Sequence, residues 1–161
     1  MARKIIDKII SRLLIILMVL MLIQVVWQVV SRYGLSHPSS FTDELSRFFL
    51  IWIGILGASY TMGQKLHLSI NLLPERLNEK NRARLEIIIN LIIILFSIGV
   101  LAIGGSRLVF ITYSLGQTSA ALKIPLWVIY SVLPLSGILT CYYCFSNILI
   151  LSGKPDPNGK Y

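Results

Sequence analysis

Charge is what this sequence has least of. Asp, Glu, Lys and Arg make up 14% of its 161 residues, 55% are hydrophobic, and the mean hydropathy is +0.76. A soluble domain carries about a quarter of its residues as charges, so that class is excluded. Four stretches contain no Asp, Glu, Lys, Arg or His at all: Leu13 to Ser31, Phe48 to Gln64, Ile87 to Ser106 and Ile124 to Gly153. A proton relay or ion path inside the membrane is built from such residues, and these runs offer none. Histidine is nearly absent too. His37 and His67 both fall in loops, on opposite sides of the membrane in the topology below, so they cannot jointly hold a haem or a metal ion between helices. Cys141 and Cys144 have C-x-x-C spacing but lie in an apolar run, with no strand or basic neighbour to lower a thiol pKa. The phosphate-loop, H-E-x-x-H and G-x-S-x-G signatures are missing. No enzyme, cofactor or metal site is expected.

What is present is a set of membrane-length segments. About 20 helical residues cross a hydrocarbon core of roughly 30 Å, and each uncharged run reaches or approaches that length. We read an all-α integral membrane protein, a single membrane domain with four transmembrane helices at about 13–31, 45–64, 85–107 and 125–151, and an interfacial amphipathic segment at about 66–80 between helices 2 and 3. Leu108 to Leu122 is apolar as well, but the breakers Gly116, Gln117, Thr118 and Ser119 make it the end of span three and an interfacial loop. A fifth span would need that stretch to cross. The basic start "MARKIIDKIISR" precedes a run longer than a signal core and no small-x-small cleavage pattern follows, so the first helix is expected to stay.

The net charge of +8 does not mark a nucleic-acid binder, because the cations cluster at the ends of apolar runs and form no stripe with interleaved aromatics. They set orientation instead. Eleven (Arg3, Lys4, Lys8, Arg12, Lys65, Arg76, Lys80, Arg82, Arg84, Lys154 and Lys160) fall on one side of the four-span plan, against four (Arg32, Arg47, Arg107 and Lys123) on the other. Both termini are therefore expected in the cytoplasm.

Span two is expected to start near Ser40. Ser40 and Asp43 have the S-x-x-D spacing that satisfies free N–H groups at a helix start, and Asp43 and Glu44 suit the positive end of the helix dipole. Arg47, three positions after Glu44, either pairs with it or snorkels to the interface. Gly54 and Ala58, and likewise Gly57 and Thr61, stand four apart and make one side of the helix small, for packing within this chain or on a partner. Trp27, Trp52 and Trp127 suit an aromatic belt. In the second loop Leu66, Ile70, Leu73 and Leu77 recur at helical spacing, with Lys65, Arg76, Lys80, Arg82 and Arg84 facing anionic lipid. Pro74 suits the first position of a helix leading into span three, and Leu85 to Ser106, about 33 Å of helix, brings Arg107 out at the far face. Gly104 and Gly105 predict a bend before that exit, and Pro134 a kink in span four. Gln24, Gln28, Asn90 and Asn147 are read as interhelical hydrogen-bonding or interface groups rather than a substrate or ion path.

Three features together resemble one family. "DELSRFFLIWIGILGASYTMGQKLHLSINLL" is similar to its acidic-acidic-x-x-Arg start, Trp-containing span, Gly-Ala pair and downstream His. "LGQTSAALKIPLWVIYSVLPLSG" is similar to its Gly-Gln-x-Ser, Ile-Pro-x-Trp, Tyr and Pro-x-x-Gly pattern, with Ala120 where the family often has Pro. The third feature is the plan of four spans with a basic second loop. The chain thus resembles the small membrane subunit (DctQ or SiaQ-like) of TRAP transporters, the tripartite ATP-independent periplasmic transporters. The resemblance implies a non-catalytic subunit of the bacterial inner membrane, paired one to one with a large multi-span permease that carries the substrate and sodium sites and moves as an elevator. A periplasmic binding protein would deliver an organic acid of the C4-dicarboxylate or sialic acid type. Asp43, Glu44, Arg47, Trp52, Gly54, Gly57 and Ala58 become candidates for the large-subunit interface, with Glu44 and Arg47 expected as an ion pair or network. Arg32, His37, Gln117 and Lys123 become candidates for the face that docks the binding protein. A self-sufficient four-helix exporter would need a membrane-embedded acidic residue where span one has only glutamines, and a haem-holding oxidoreductase anchor would need His inside the spans.

Overall fold

A computed structural model of the chain describes residues 2–34, 40–64 and 79–151. They form α1 (Ala2–Gly34), α2 (Ser40–Gly63), α3 (Glu79–Phe96), a π-helical stretch (Ser97–Gly104), α4 (Gly105–Ser114), α5 (Leu126–Tyr130) and α6 (Val132–Leu151). Joined end to end, these give four helices long and apolar enough to cross a membrane: Arg3–Gly34, Phe41–Gly63, Arg84–Ser114 and Leu126–Leu151. The interfacial segment read at 66–80 lies outside the described residues, save that α3 already begins at Glu79.

Two of the helices outrun their apolar cores. The first extends back through Lys8 and Lys4 because nothing in "ARKIIDKIISR" breaks a helix. The third continues about two turns past Arg107 to Ser114, where Gly116, at φ +59°, ends it. There the Gln117 N–H donates to the Thr112 carbonyl (3.1 Å) and the Gly116 N–H to that of Tyr113 (3.0 Å), which satisfies two of the last carbonyls of the helix.

Pro134 interrupts the fourth span one turn before itself. A proline has no N–H and its ring conflicts with the carbonyl four residues back, here that of Tyr130. The fourth span accordingly breaks at a turn on Ser131 and restarts, so that Pro134 sits in the first turn of α6, where it is tolerated. Near Gly104 and Gly105 the departure from regular α-helix is the eight-residue π stretch that ends at Gly104.

The helices pack in the order one, two, four, three. α1 leans on α2, α2 on α6, and α6 on α3 and the π stretch. Span four therefore supplies much of the interior: Val132, Ser136, Tyr143 and Cys144 are fully buried. Close approach there depends on small residues. A Cβ on Gly137 would stand 2.9 Å from the Ala102 backbone nitrogen, and one on Gly105 2.8 Å from Leu133 Cβ. Hydroxyls tie the same surfaces. Ser97 donates to the Gly137 carbonyl (3.1 Å), Ser59 to the Ser136 carbonyl (3.3 Å), and Thr140 to Ser59 Oγ (3.0 Å). Interhelical hydrogen bonds of this kind contribute about 0.6 kcal/mol each in a membrane.

Candidate functional site

Polar side chains gather at the two ends of this row of helices. At one end the α2 start, the α1 end and the 115–125 loop converge. Gln24, buried on α1, donates to the Thr42 carbonyl and to Ser46 Oγ (2.6 Å), and Gln28 donates to Asp43 (2.9 Å). The two glutamines thus join span one to span two, as read from their spacing.

Arg47 pairs with Asp43 at 3.3 Å, not with Glu44. The correction follows from helix geometry: both Asp43 and Glu44 lie within a turn of Arg47, but the Glu44 side chain is turned to the loop. Its carboxylate accepts the N–H groups of Ala120 (3.0 Å), Ala121 (2.9 Å) and Leu122 (2.8 Å). The Arg47 and Asp43 side chains are 75% and 58% exposed, so this pair alone contributes about 0 to 1 kcal/mol.

The other surface candidates divide clearly. Arg32, Gln117 and Lys123 are exposed at the same end, and Lys123 has a left-handed backbone at φ 55°. His37 lies outside the described residues, as do Lys65 and Arg76. Lys80 and Arg82 fall in α3, and Arg84 is exposed on it. Trp52 is half-buried on α2. Gly54 and Ala58 are exposed, and a Cβ on Gly54 or Gly57 would meet nothing within 4 Å. The small side of span two is thus not the side that packs inside this chain. Gly54 and Ala58 instead line an open groove of about 310 Å3 with Phe96 and Leu101, over the Ser59 and Thr140 hydroxyls.

At the opposite end a second cluster centres on Arg3. Its guanidinium donates to Ser146 Oγ (3.1 Å), to Asn147 Oδ1 (3.2 Å) and to the Gly63 carbonyl, and lies 5.7 Å from the Tyr143 ring centroid. Tyr143 in turn donates to Asp7 (2.7 Å). Asn147, read as interhelical, belongs here and also donates to the Met62 carbonyl (3.4 Å), whereas the amide of Asn90 donates to Glu86 in its own helix (2.7 Å). Sequence reasoning counted Arg3 only for orientation. The available signal was Arg3 and Asp7, four apart with opposite charge at the head of an apolar run. Among the described residues no group of three His, Cys, Asp or Glu stands close enough to hold a metal ion, and Cys141 and Cys144 are free thiols, the latter buried.

Four apolar helices whose polar side chains join helix to helix and helix to loop define a multi-pass α-helical membrane protein. Residues 21–152 match the family described as tripartite ATP-independent periplasmic transporters, DctQ component, and the chain belongs to that family, which consists of transporter components and not enzymes. It is 30% identical over 157 residues to the sialic acid TRAP transporter small permease protein SiaQ of Vibrio cholerae, covering 94% of this chain and 86% of that protein. It is also 28% identical over 102 residues to the C4-dicarboxylate TRAP transporter small permease protein DctQ of Rhodobacter capsulatus, covering 63% of this chain and 44% of the relative. Identity is 33% over 67 residues to a putative TRAP transporter small permease protein of Haemophilus influenzae, 42% of each chain. The matched stretches thus span less than half the length of the latter two relatives and most of SiaQ.

Proposed function

We propose that this chain is the non-catalytic membrane subunit of a sodium-coupled importer of an organic acid, bound one to one to a large permease subunit and served by a periplasmic binding protein. The observation that carries the reading is the family match over 21–152, joined to polar groups that hold helices together. Substrate and ion sites then belong to the large subunit, and this chain steadies its immobile part. The names of the relatives suggest a C4-dicarboxylate or a sialic acid as cargo.

The α2 surface is the side offered to the large subunit. Gly54, Gly57 and Ala58 leave room for a foreign helix backbone, Trp52 flanks them, and the exposed Asp43–Arg47 pair stands at the helix start, whereas Glu44 turns its carboxylate to the 115–125 loop instead. Arg32, His37, Gln117 and Lys123 form the face seen by the binding protein, while Lys65, Arg76, Lys80, Arg82 and Arg84 meet anionic lipid on the other side. This orientation places both termini in the cytoplasm of a cell whose inner membrane holds the complex.

The test is reconstitution in liposomes with a sodium gradient. Uptake of the cargo is expected only when this chain, the large subunit and the binding protein are all present, and to vanish when the gradient is collapsed. Uptake by this chain alone would refute the proposal and favour a self-sufficient exporter fold.

A further inference from the structure

Three consecutive backbone N–H groups, those of Ala120, Ala121 and Leu122, point at one carboxylate that the sequence places more than 70 residues earlier. Successive N–H groups turned to a common point form a concave anion site. Here the anion is Glu44, part of the same chain. Ala120 donates to Oε1, and Ala121 and Leu122 to Oε2, so both oxygens are engaged.

The loop has few other supports at its tip. Its base is closed by the Ser119 N–H donating to the Ile124 carbonyl (2.9 Å) and the Leu126 N–H donating to the Gln117 carbonyl (3.0 Å). Beyond that base, Ala120 and Ala121 are exposed and bring no apolar anchor, and Leu122 alone is half-buried. Directly after the nest comes Lys123 at φ 55°, a conformation that side chains other than glycine rarely adopt. The turn that the carboxylate holds thus sets where Lys123 projects, exposed, while Gln117 is exposed at the loop base.

We propose that Glu44 is a positioning residue for docking: its carboxylate fixes the 119–123 loop so that Lys123, beside Gln117 at the loop base, meets the periplasmic binding protein in one preset arrangement. The inference rests on the docking role given to this face above. A loop held in advance loses less conformational freedom when a partner arrives, so affinity is gained without any new contact. Glu44→Gln tests this sharply, since the amide keeps one acceptor oxygen but turns an NH2 toward at least one of the three donors. Asp43→Asn is the control. It removes the same charge one residue earlier, from a side chain that touches Gln28 and Arg47 and not the loop.

The experiment uses the complex of this chain with its large subunit in lipid nanodiscs, with amide hydrogen exchange over 119–123 and binding of the transporter's purified binding protein measured on the same samples. In Glu44→Gln, exchange at Ala120, Ala121 and Leu122 is expected to speed up about tenfold or more. The dissociation constant for the binding protein should rise severalfold at unchanged recovery of the large subunit, and Asp43→Asn should leave exchange over 119–123 at the wild-type rate. Unchanged exchange would overturn the inference, and so would faster exchange with unchanged affinity or loss of the large subunit. If the wild-type complex bound no binding protein, the docking role itself would fall and the positioning role with it, a failure that needs no variant to detect.

Discussion

The same substitution should have opposite effects at two glycines of this chain. At Gly137 an added Cβ would lie 2.9 Å from the Ala102 nitrogen, 3.0 Å from Leu101 Cβ and 3.2 Å from the Leu101 carbonyl carbon. Two of these are backbone atoms, which no rotamer change can move aside, so α6 and the π stretch must separate by several tenths of an ångström. Overpacking of this kind costs about 1 to 3 kcal/mol. Separation also stretches the bond from Ser97 to the Gly137 carbonyl, now 3.1 Å, and puts at risk about 0.6 kcal/mol. Against this, alanine is favoured over glycine in a helix by about 1 kcal/mol. The net expectation for Gly137→Ala is a loss of about 0.6 to 2.6 kcal/mol, or roughly 3- to 80-fold in the unfolding equilibrium. Gly54→Ala meets nothing within 4 Å, so only the helix preference acts and the chain should gain up to about 1 kcal/mol. Reversible unfolding of the isolated subunit in mixed micelles, followed by circular dichroism, reads both. Equal shifts of the same sign at the two positions would refute the packing described at α6.

Arg47→Ala should leave the stability of the isolated subunit within about 1 kcal/mol, since the pair it breaks is exposed, yet lower co-purification of the large subunit; unchanged yield and unchanged transport would remove Arg47 from the interface. Gly54→Ile, in turn, should spare the isolated subunit but reduce the yield of the complex, because the side chain fills the groove beside Ala58 and Phe96; full recovery of the complex would show that the groove faces lipid. Tyr143→Phe removes the 2.7 Å bond to Asp7 and should cost about 0.5 to 1.5 kcal/mol in the micelle assay, with no loss expected in an Asp7→Ala background; an undiminished loss there would break the Arg3–Asp7–Tyr143 account.

Legibility in the sequence followed the range of each interaction. Uncharged runs report burial in lipid residue by residue, which is why four spans could be read directly, and the α2 start at Ser40 was visible in a four-residue spacing. Gln24 and Gln28 were legible because an amide in an apolar run must find a partner, and the connected helix is the nearest source of one. Pro134 was legible as an interruption, and the conflict it creates lies a turn earlier, so the ladder opens at Ser131. The nest around Glu44 was invisible because it joins residues more than 70 positions apart through backbone N–H groups, which leave no mark on residue identity. For the same reason Gly54 and Gly137 look alike in sequence, although one faces open space and the other a backbone. Only the packing order of the helices tells them apart.

The central claim, that this chain works as the small subunit of a two-subunit permease, is tested most directly by purifying the tagged chain from native membrane in mild detergent and identifying what accompanies it. The account predicts a large multi-span permease in equal amount. Recovery of the chain alone, as a stable dimer of itself, would contradict it.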